Sequence, residues 1–216
     1  MPDIARYLPL SHRSGDDESA VTGDWRPHIA AGLGRIADLL DGLTPEQWAT
    51  PSLCEGWSVR DVAGHLVWRV AGSTRDLVLG SLRAVRPGTL SPTRIIDAIS
   101  RETATAEPAE LVRRLRESAV AYAAGHGRKS VHELTEVVVH GYDLAVPLGL
   151  DPSFSPVETG AVAIARAAGG PAVTRAIVRG RTLTAADDGW SVGRGPATEA
   201  PARSIILFLF GRAGGV

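Results

Sequence analysis

The chain has 216 residues, 44% of them hydrophobic and 22% charged, which suffices for one good core or one domain with a smaller companion. Its 23 basic and 24 acidic residues leave a net charge of −1, without the basic excess of a nucleic-acid-binding protein. The single cysteine, Cys54, excludes an internal disulfide and any CxxC metal or redox motif.

Residues 1–22 are polar, carry "SGDDES" and show no sustained periodicity, so they read as a flexible N-terminal arm. They lack the basic start and apolar block of a signal peptide. The longest apolar run, "IILFLF" at 205–210, is far short of the ~18 residues of a membrane span, and the protein is expected in the cytoplasm.

From Trp25, the residues Ile29, Leu33, Ile36 and Leu40 recur every three or four positions, as on one face of an amphipathic helix. "TPEQW" at 44–48 reads as a short helical turn capped by Thr44. Ser58 and Asp61 then form a capping-box pattern ahead of Val62, Leu66 and Val70, opening a second long helix expected to end near Gly80. After the link "RPGTLSP", a helical stretch from Pro92 to about Ala124 should break near Pro108. Ser130 and Glu133 make another capping pattern for a helix running to about Val146, stopped by Pro147 and Gly149. A further helix is expected over 156–168. Beyond it, "AIVRGRTLTAADDGWSVG" mixes β-branched residues with a "DDG" turn and reads as a β-hairpin. "IILFLF" suits a buried strand or a buried helix equally. The organisation is therefore mainly α: a four-helix bundle over 23–150, then a small α+β appendage, a β-hairpin plus helix, over 151–216.

Within "HELTEVVVHGYDLA" at 132–145, Glu136 and His140 lie four apart and share a helix face. Glu133 serves as a cap, whereas Glu136 sits among valines with no lysine or arginine beside it in sequence. A buried carboxylate without a partner is costly unless it finds a cation. His65 falls on or near the inward face of its own helix, either as a packed core histidine or as a ligand. Bundles often build metal sites from carboxylates and histidines on facing helices, and His65, Glu136 and His140 would make a three-ligand site with one open position.

"PSLCEGWSVRDVAGHL" at 51–66 resembles the first signature of the mycothiol-dependent maleylpyruvate isomerase family, a branch of the DinB-like metal-binding bundles. The shared features are a Cys-x-Gly-Trp turn, a polar cap, Arg-Asp, and a histidine five residues after that Arg. "HELTEVVVHGYDLAVPLG" at 132–149 is similar to the second signature, a Glu and a His four apart followed by Gly-x-Asp-Leu. "TLTAADDGWSVGRGP" and "LFLFGR" are similar to the family's C-terminal region. The resemblance implies a DinB-like four-helix bundle with His65, Glu136 and His140 as metal ligands. It also implies a mycothiol-like thiol cosubstrate and Arg212 directed toward the metal cavity to bind a substrate carboxylate, against which the residue by itself reads more readily as a solvated arginine. His132 stays open, as a residue lining the same cavity or a solvated one.

The expected ion is zinc, with nickel, iron or manganese as alternatives. The expected partners are a small thiol and a small electrophile, with no nucleic acid and no membrane, in a monomer or homodimer. A thiolate could either isomerise a cis double bond or be transferred to an electrophile. The rival readings are a metal-activated-water hydrolase, with Glu133 or His132 as base, and a non-catalytic metal- or ligand-binding bundle. Asp143, three residues after His140, could orient that imidazole or make a polar contact at the helix end. Cys54 reads as part of a packed turn rather than an activated thiol, and Trp57 and Trp68 read as core.

Overall fold

The computed structural model describes residues 23–71 and 91–212. The N-terminal arm, the helix end near Gly80 and most of the "RPGTLSP" link lie outside the described residues.

Helix α1 (Arg26–Asp41) buries Ile29, Leu33, Ile36 and Leu40, the face that the periodicity marks. Helix α2 (Pro45–Trp48) is one capped turn, with Thr44 and Gln47 bonded reciprocally. Helix α3 (Val59–Leu66) starts at a full Ser58–Asp61 capping box and buries Val62, His65 and Leu66. It then widens into a π turn over Val67–Ala71. Helices α4 (Pro92–Thr103) and α5 (Pro108–Ala123) each begin at a proline, which needs no backbone partner in a first turn. Helix α6 (Val131–Ala145) runs into a 3-10 turn over Val146–Leu148, closed by Gly149 at φ 70°.

Four elements make the bundle: α1 packs along α5 and α6, while α3 and its π turn pack against α6 and α5. Helix α4 covers α3 from outside. The α3–α4 approach depends on Gly64, where an added Cβ would lie 2.6 Å from the Ser100 carbonyl oxygen and 2.7 Å from the Ala104 nitrogen. Those are backbone atoms and cannot swing away, so only glycine lets the two helices come this close. The bundle and the chain after it share one hydrophobic cluster.

Helix α7 (Pro156–Gly169), capped by Ser155 and Glu158, packs on α6. "AIVRG" is not the start of a hairpin: it ends helix α8 (Ala172–Gly180). The buried Thr174 and Val178 are four apart, so this β-branched segment follows the helical period rather than alternation. The hairpin itself comes after it, β1 (Thr182–Ala185) pairing antiparallel with β2 (Ser191–Gly193). An unforeseen strand, β3 (Ala197–Ala200), pairs in parallel with the other edge of β1, giving the order β2-β1-β3. "IILFLF" belongs to helix α9 (Ala202–Leu209), which buries Ile205, Ile206, Leu207 and Leu209. Asp187 of the hairpin turn accepts the Ala202 N–H at 2.7 Å, a helix-end partner that no local pattern reveals. The fold is thus mainly helical with a small C-terminal sheet. Among the described residues no single helix is long and apolar enough to cross a membrane.

Candidate metal centre

Helices α3 and α6 face each other, and the geometry brings His65, Glu136 and His140 together with their donor atoms all within 4.8 Å of one another. His65 Nε2 lies 3.0 Å and His140 Nε2 3.4 Å from Glu136 Oε2. The two imidazole centroids are 4.6 Å apart, edge to face. His65 is 4% exposed, and the side chains of Glu136 and His140 are 16% and 15% exposed, so the cluster sits just under the surface.

The surroundings settle which ring nitrogens face inward. Ser100 of α4, whose hydroxyl lies 2.7 Å from the Ile96 carbonyl oxygen, also meets the His65 ring. His65 Nδ1 is 3.1 Å from that hydroxyl, which turns Nε2 toward Glu136. His140 Nδ1 faces Asp143 Oδ2 at 2.9 Å, which likewise turns its Nε2 toward Glu136.

Protonation follows the same layout. Burial pushes the His65 pKa down, outweighing the Glu136 carboxylate, so this ring is neutral. Burial works against the charged form of His140 too, yet Asp143, Cys54 and Glu136 together push it well above its ordinary value. Burial opposes ionisation of Glu136, but the bonds to His140 and His65 hold it well below the carboxylate range. Asp143 is fully buried; Arg212 and then His140 outweigh that burial and hold its pKa at about 2. The His65 and His140 Nε2 atoms thus converge on one Glu136 oxygen, at 3.0 and 3.4 Å. Two imidazole nitrogens and a carboxylate oxygen gathered at one point are a donor set that would fit a divalent cation of zinc's class once the imidazoles offer their lone pairs.

A second cluster, Cys54, His140 and Asp143, is equally tight. Here a cation is already present: Arg212 reaches Asp143 through Nε and Nη2 at 2.8 Å each, and Nη2 lies 3.5 Å from Cys54 Sγ. The first cluster has no such occupant at its centre.

Glu136 is not without a basic neighbour, contrary to what "EVVVH" suggests. Arg69, from the π turn, places Nε 3.8 Å from Glu136 Oε1. His132 is 3.6 Å from the same oxygen with its side chain 61% exposed, and it hydrogen-bonds Arg69. Glu133 departs from the capping box: Ser130 caps the His132 N–H, while Glu133, buried, accepts from the Ser130 hydroxyl and from Arg128. Cys54 sits in a turn tied to α6 by Leu53 N–H donating to the Asp143 carbonyl at 3.0 Å, and its sulfur is 3.1 Å from Asp143 Oδ2. Trp57 and Trp68 are half-buried rather than core; their rings flank His65 at 5.3 and 6.1 Å. Ser100 and Arg69 were not singled out from the sequence, since neither stands in a motif with the residue it touches.

Beside the cluster a cavity of about 320 Å³ opens, walled by α6, the end of α7 and the segment after α9. Glu136, His140, Arg166, Phe210 and Arg212 all line it. Arg212 has two nitrogens held by Asp143, and Arg166 stacks over Phe210 while donating to the Leu209 carbonyl.

Residues 29–132 match the family model described as the mycothiol maleylpyruvate isomerase N-terminal domain. The matched stretch includes His65 and stops four residues short of Glu136. The chain is also similar in fold to a crystal structure of the mycothiol-dependent maleylpyruvate isomerase, with a TM-score of 0.53 and 17% identity over 97% of this chain and 92% of that one. A histidine-to-alanine mutant of that isomerase gives the same values. Two uncharacterized proteins of Mycobacterium tuberculosis, from strains CDC 1551 / Oshkosh and ATCC 25618 / H37Rv, are 27% identical to this chain over 56% of its length. The match spans 57% of each of those relatives.

Proposed function

We propose that this protein is a metal-dependent enzyme that uses a low-molecular-weight thiol, mycothiol or a close analogue, against a small electrophile. The observation that supports the reading is the convergence of His65 Nε2 and His140 Nε2 on Glu136 Oε2, at 3.0 and 3.4 Å. His65, Glu136 and His140 would hold the ion, zinc by the chemistry of two imidazoles and one carboxylate. A divalent ion there would keep a bound thiol as its thiolate at neutral pH and so supply a nucleophile.

The chain's own residues supply positioning and shape. Ser100 and Asp143 fix the two imidazoles from behind, so that both Nε2 atoms face the centre. Trp57 and Trp68 flank His65, and their apolar rings keep bulk water from that side. The cavity beside Glu136 and His140 has the volume of a small-molecule site. Arg166 and Arg212 line it, which favours an electrophile that carries a carboxylate. A thiolate delivered to such a substrate can add to a cis double bond, allow rotation and leave, or displace a leaving group and stay attached.

The test is metal content and thiol turnover on the same preparation. Near-stoichiometric zinc, lost in His65→Ala, with metal-dependent consumption of mycothiol on a panel of anionic electrophiles is the expected result. Hydrolysis of an ester or amide without added thiol would replace this reading by the hydrolase one. Bound metal with no turnover on any electrophile would leave a binding protein.

A further inference from the structure

Resting on that metal reading, the two oxygens of Glu136 have different neighbours. Oε2 faces His65 Nε2 at 3.0 Å and His140 Nε2 at 3.4 Å. Oε1 faces the other way, toward Arg69 Nε at 3.8 Å and His132 Nε2 at 3.6 Å. Arg69 in turn donates from Nη2 to His132 Nε2 at 2.5 Å, so guanidinium, imidazole and carboxylate oxygen close a triangle on that side.

Arg69 comes to this position through the π turn. It is four residues after His65 and so on the same side of the helix, where both reach across to α6. A π turn releases backbone carbonyls from their usual partners, and here two of them meet side-chain donors. The Arg69 carbonyl accepts from Arg128 Nη2, and the Val70 carbonyl accepts from the Tyr122 hydroxyl at 3.2 Å. Arg128 is itself paired with the buried Glu133 of α6 at 2.8 Å. The turn is therefore anchored to both α5 and α6, and π turns inside α-helices frequently occur at functional sites.

A carboxylate can offer a cation one oxygen or both. Three protein ligands of one atom each leave a four-coordinate ion one open position, and a carboxylate that chelates with both oxygens fills it. We propose that Arg69 is a positioning residue that keeps Glu136 Oε1 turned away, so that Glu136 gives the ion a single oxygen and a coordination position stays free for the thiol. Its positive charge near Oε1 repels a divalent cation from that side while holding the carboxylate's orientation.

The opposing signs make this separable from a merely structural role. Removing a guanidinium beside a cation site should strengthen metal binding, whereas damage to the helix would weaken it. The experiment loads the whole protein, as wild type, Arg69→Ala and Arg69→Lys, with cobalt(II). Metal affinity is then read by chelator competition, the visible spectrum by absorption, and thiol binding by titration with 2-mercaptoethanol. Arg69→Ala should hold cobalt as tightly as wild type or roughly fivefold tighter. Its visible bands should shift as the second carboxylate oxygen takes the place of the outside ligand, and its thiol affinity should fall at least about tenfold. Arg69→Lys, which keeps the charge, should restore both spectrum and thiol affinity. An Arg69→Ala protein with the wild-type spectrum and thiol affinity, or with weakened cobalt binding, overturns the proposal while leaving the metal reading intact. A wild-type protein that takes up no cobalt overturns the metal reading and this inference with it.

Discussion

Replacing Asp143 by asparagine isolates the charge behind the proposed centre. The carboxyl is fully buried between Arg212, bonded through two nitrogens at 2.8 Å, and His140 Nδ1 at 2.9 Å. A carboxyl that ionises near pH 2 in the folded protein instead of at its ordinary 3.8 contributes about 2.5 kcal/mol at neutral pH. Breaking a buried ion pair from one side costs about 3–5 kcal/mol, less here because Arg212 is 24% exposed and an amide oxygen still accepts from it. The two routes agree on a loss of about 2–3 kcal/mol for Asp143→Asn. For a chain of this length that is a fall of roughly 5–10 °C in Tm. Because the folded-state pKa is depressed, this contribution is complete above pH 3.8 and fades as the pH drops toward about 2. Urea unfolding of metal-free wild type and D143N at pH 7, and again at successively lower pH below 4, reads both magnitude and sign. Zinc affinity by chelator competition should fall about 10–100-fold, since the imidazole loses the group that orients it. A D143N protein as stable as wild type at pH 7, or a gap that widens on acidification, would refute the account of Asp143 as an ionised buried partner.

Zinc uptake at pH 7 should release about one proton per ion, because His140 is pushed well above its ordinary pKa in the metal-free protein and must lose its Nε2 proton to act as a ligand. Calorimetric titration in two buffers of different ionisation enthalpy counts it, and the stabilisation by zinc should grow as pH rises from 6 toward 8. Ser100→Ala removes the hydroxyl partner of His65 Nδ1, 3.1 Å away, and should weaken zinc binding about tenfold with the helical content unchanged by circular dichroism. Gly64→Ala drives a methyl against the Ser100 and Ala104 backbone and should destabilise the fold by about 1–3 kcal/mol in chemical denaturation, despite alanine's better helix propensity.

Local signals carried the helices. Caps such as Ser58–Asp61 and Ser155–Glu158, prolines at first turns and a buried face repeating every three to four residues act over a few residues, so a linear reading captures them. The same holds for the Glu136–His140 spacing, since a helix puts residues four apart on one side whatever surrounds it. Where the segment is buried nearly all round, as in "IILFLF", or rich in β-branched residues, as in α8, the pattern loses its direction and tertiary packing decides.

The identity of the carboxylate's neighbours was decided only by the packing of α3, α4 and α6. Ser100 meets His65 across 35 positions of sequence, Arg69 meets Glu136 through a π turn, and Arg212 meets Asp143 across 69 positions. Each of these contacts depends on how close two helices lie and how they are rotated, which no short window of residues encodes. The residue types suited to holding a cation could be picked out along the chain; which ring nitrogens meet which carboxylate oxygen, and which oxygen of Glu136 lies toward a guanidinium, follows from three-dimensional geometry alone.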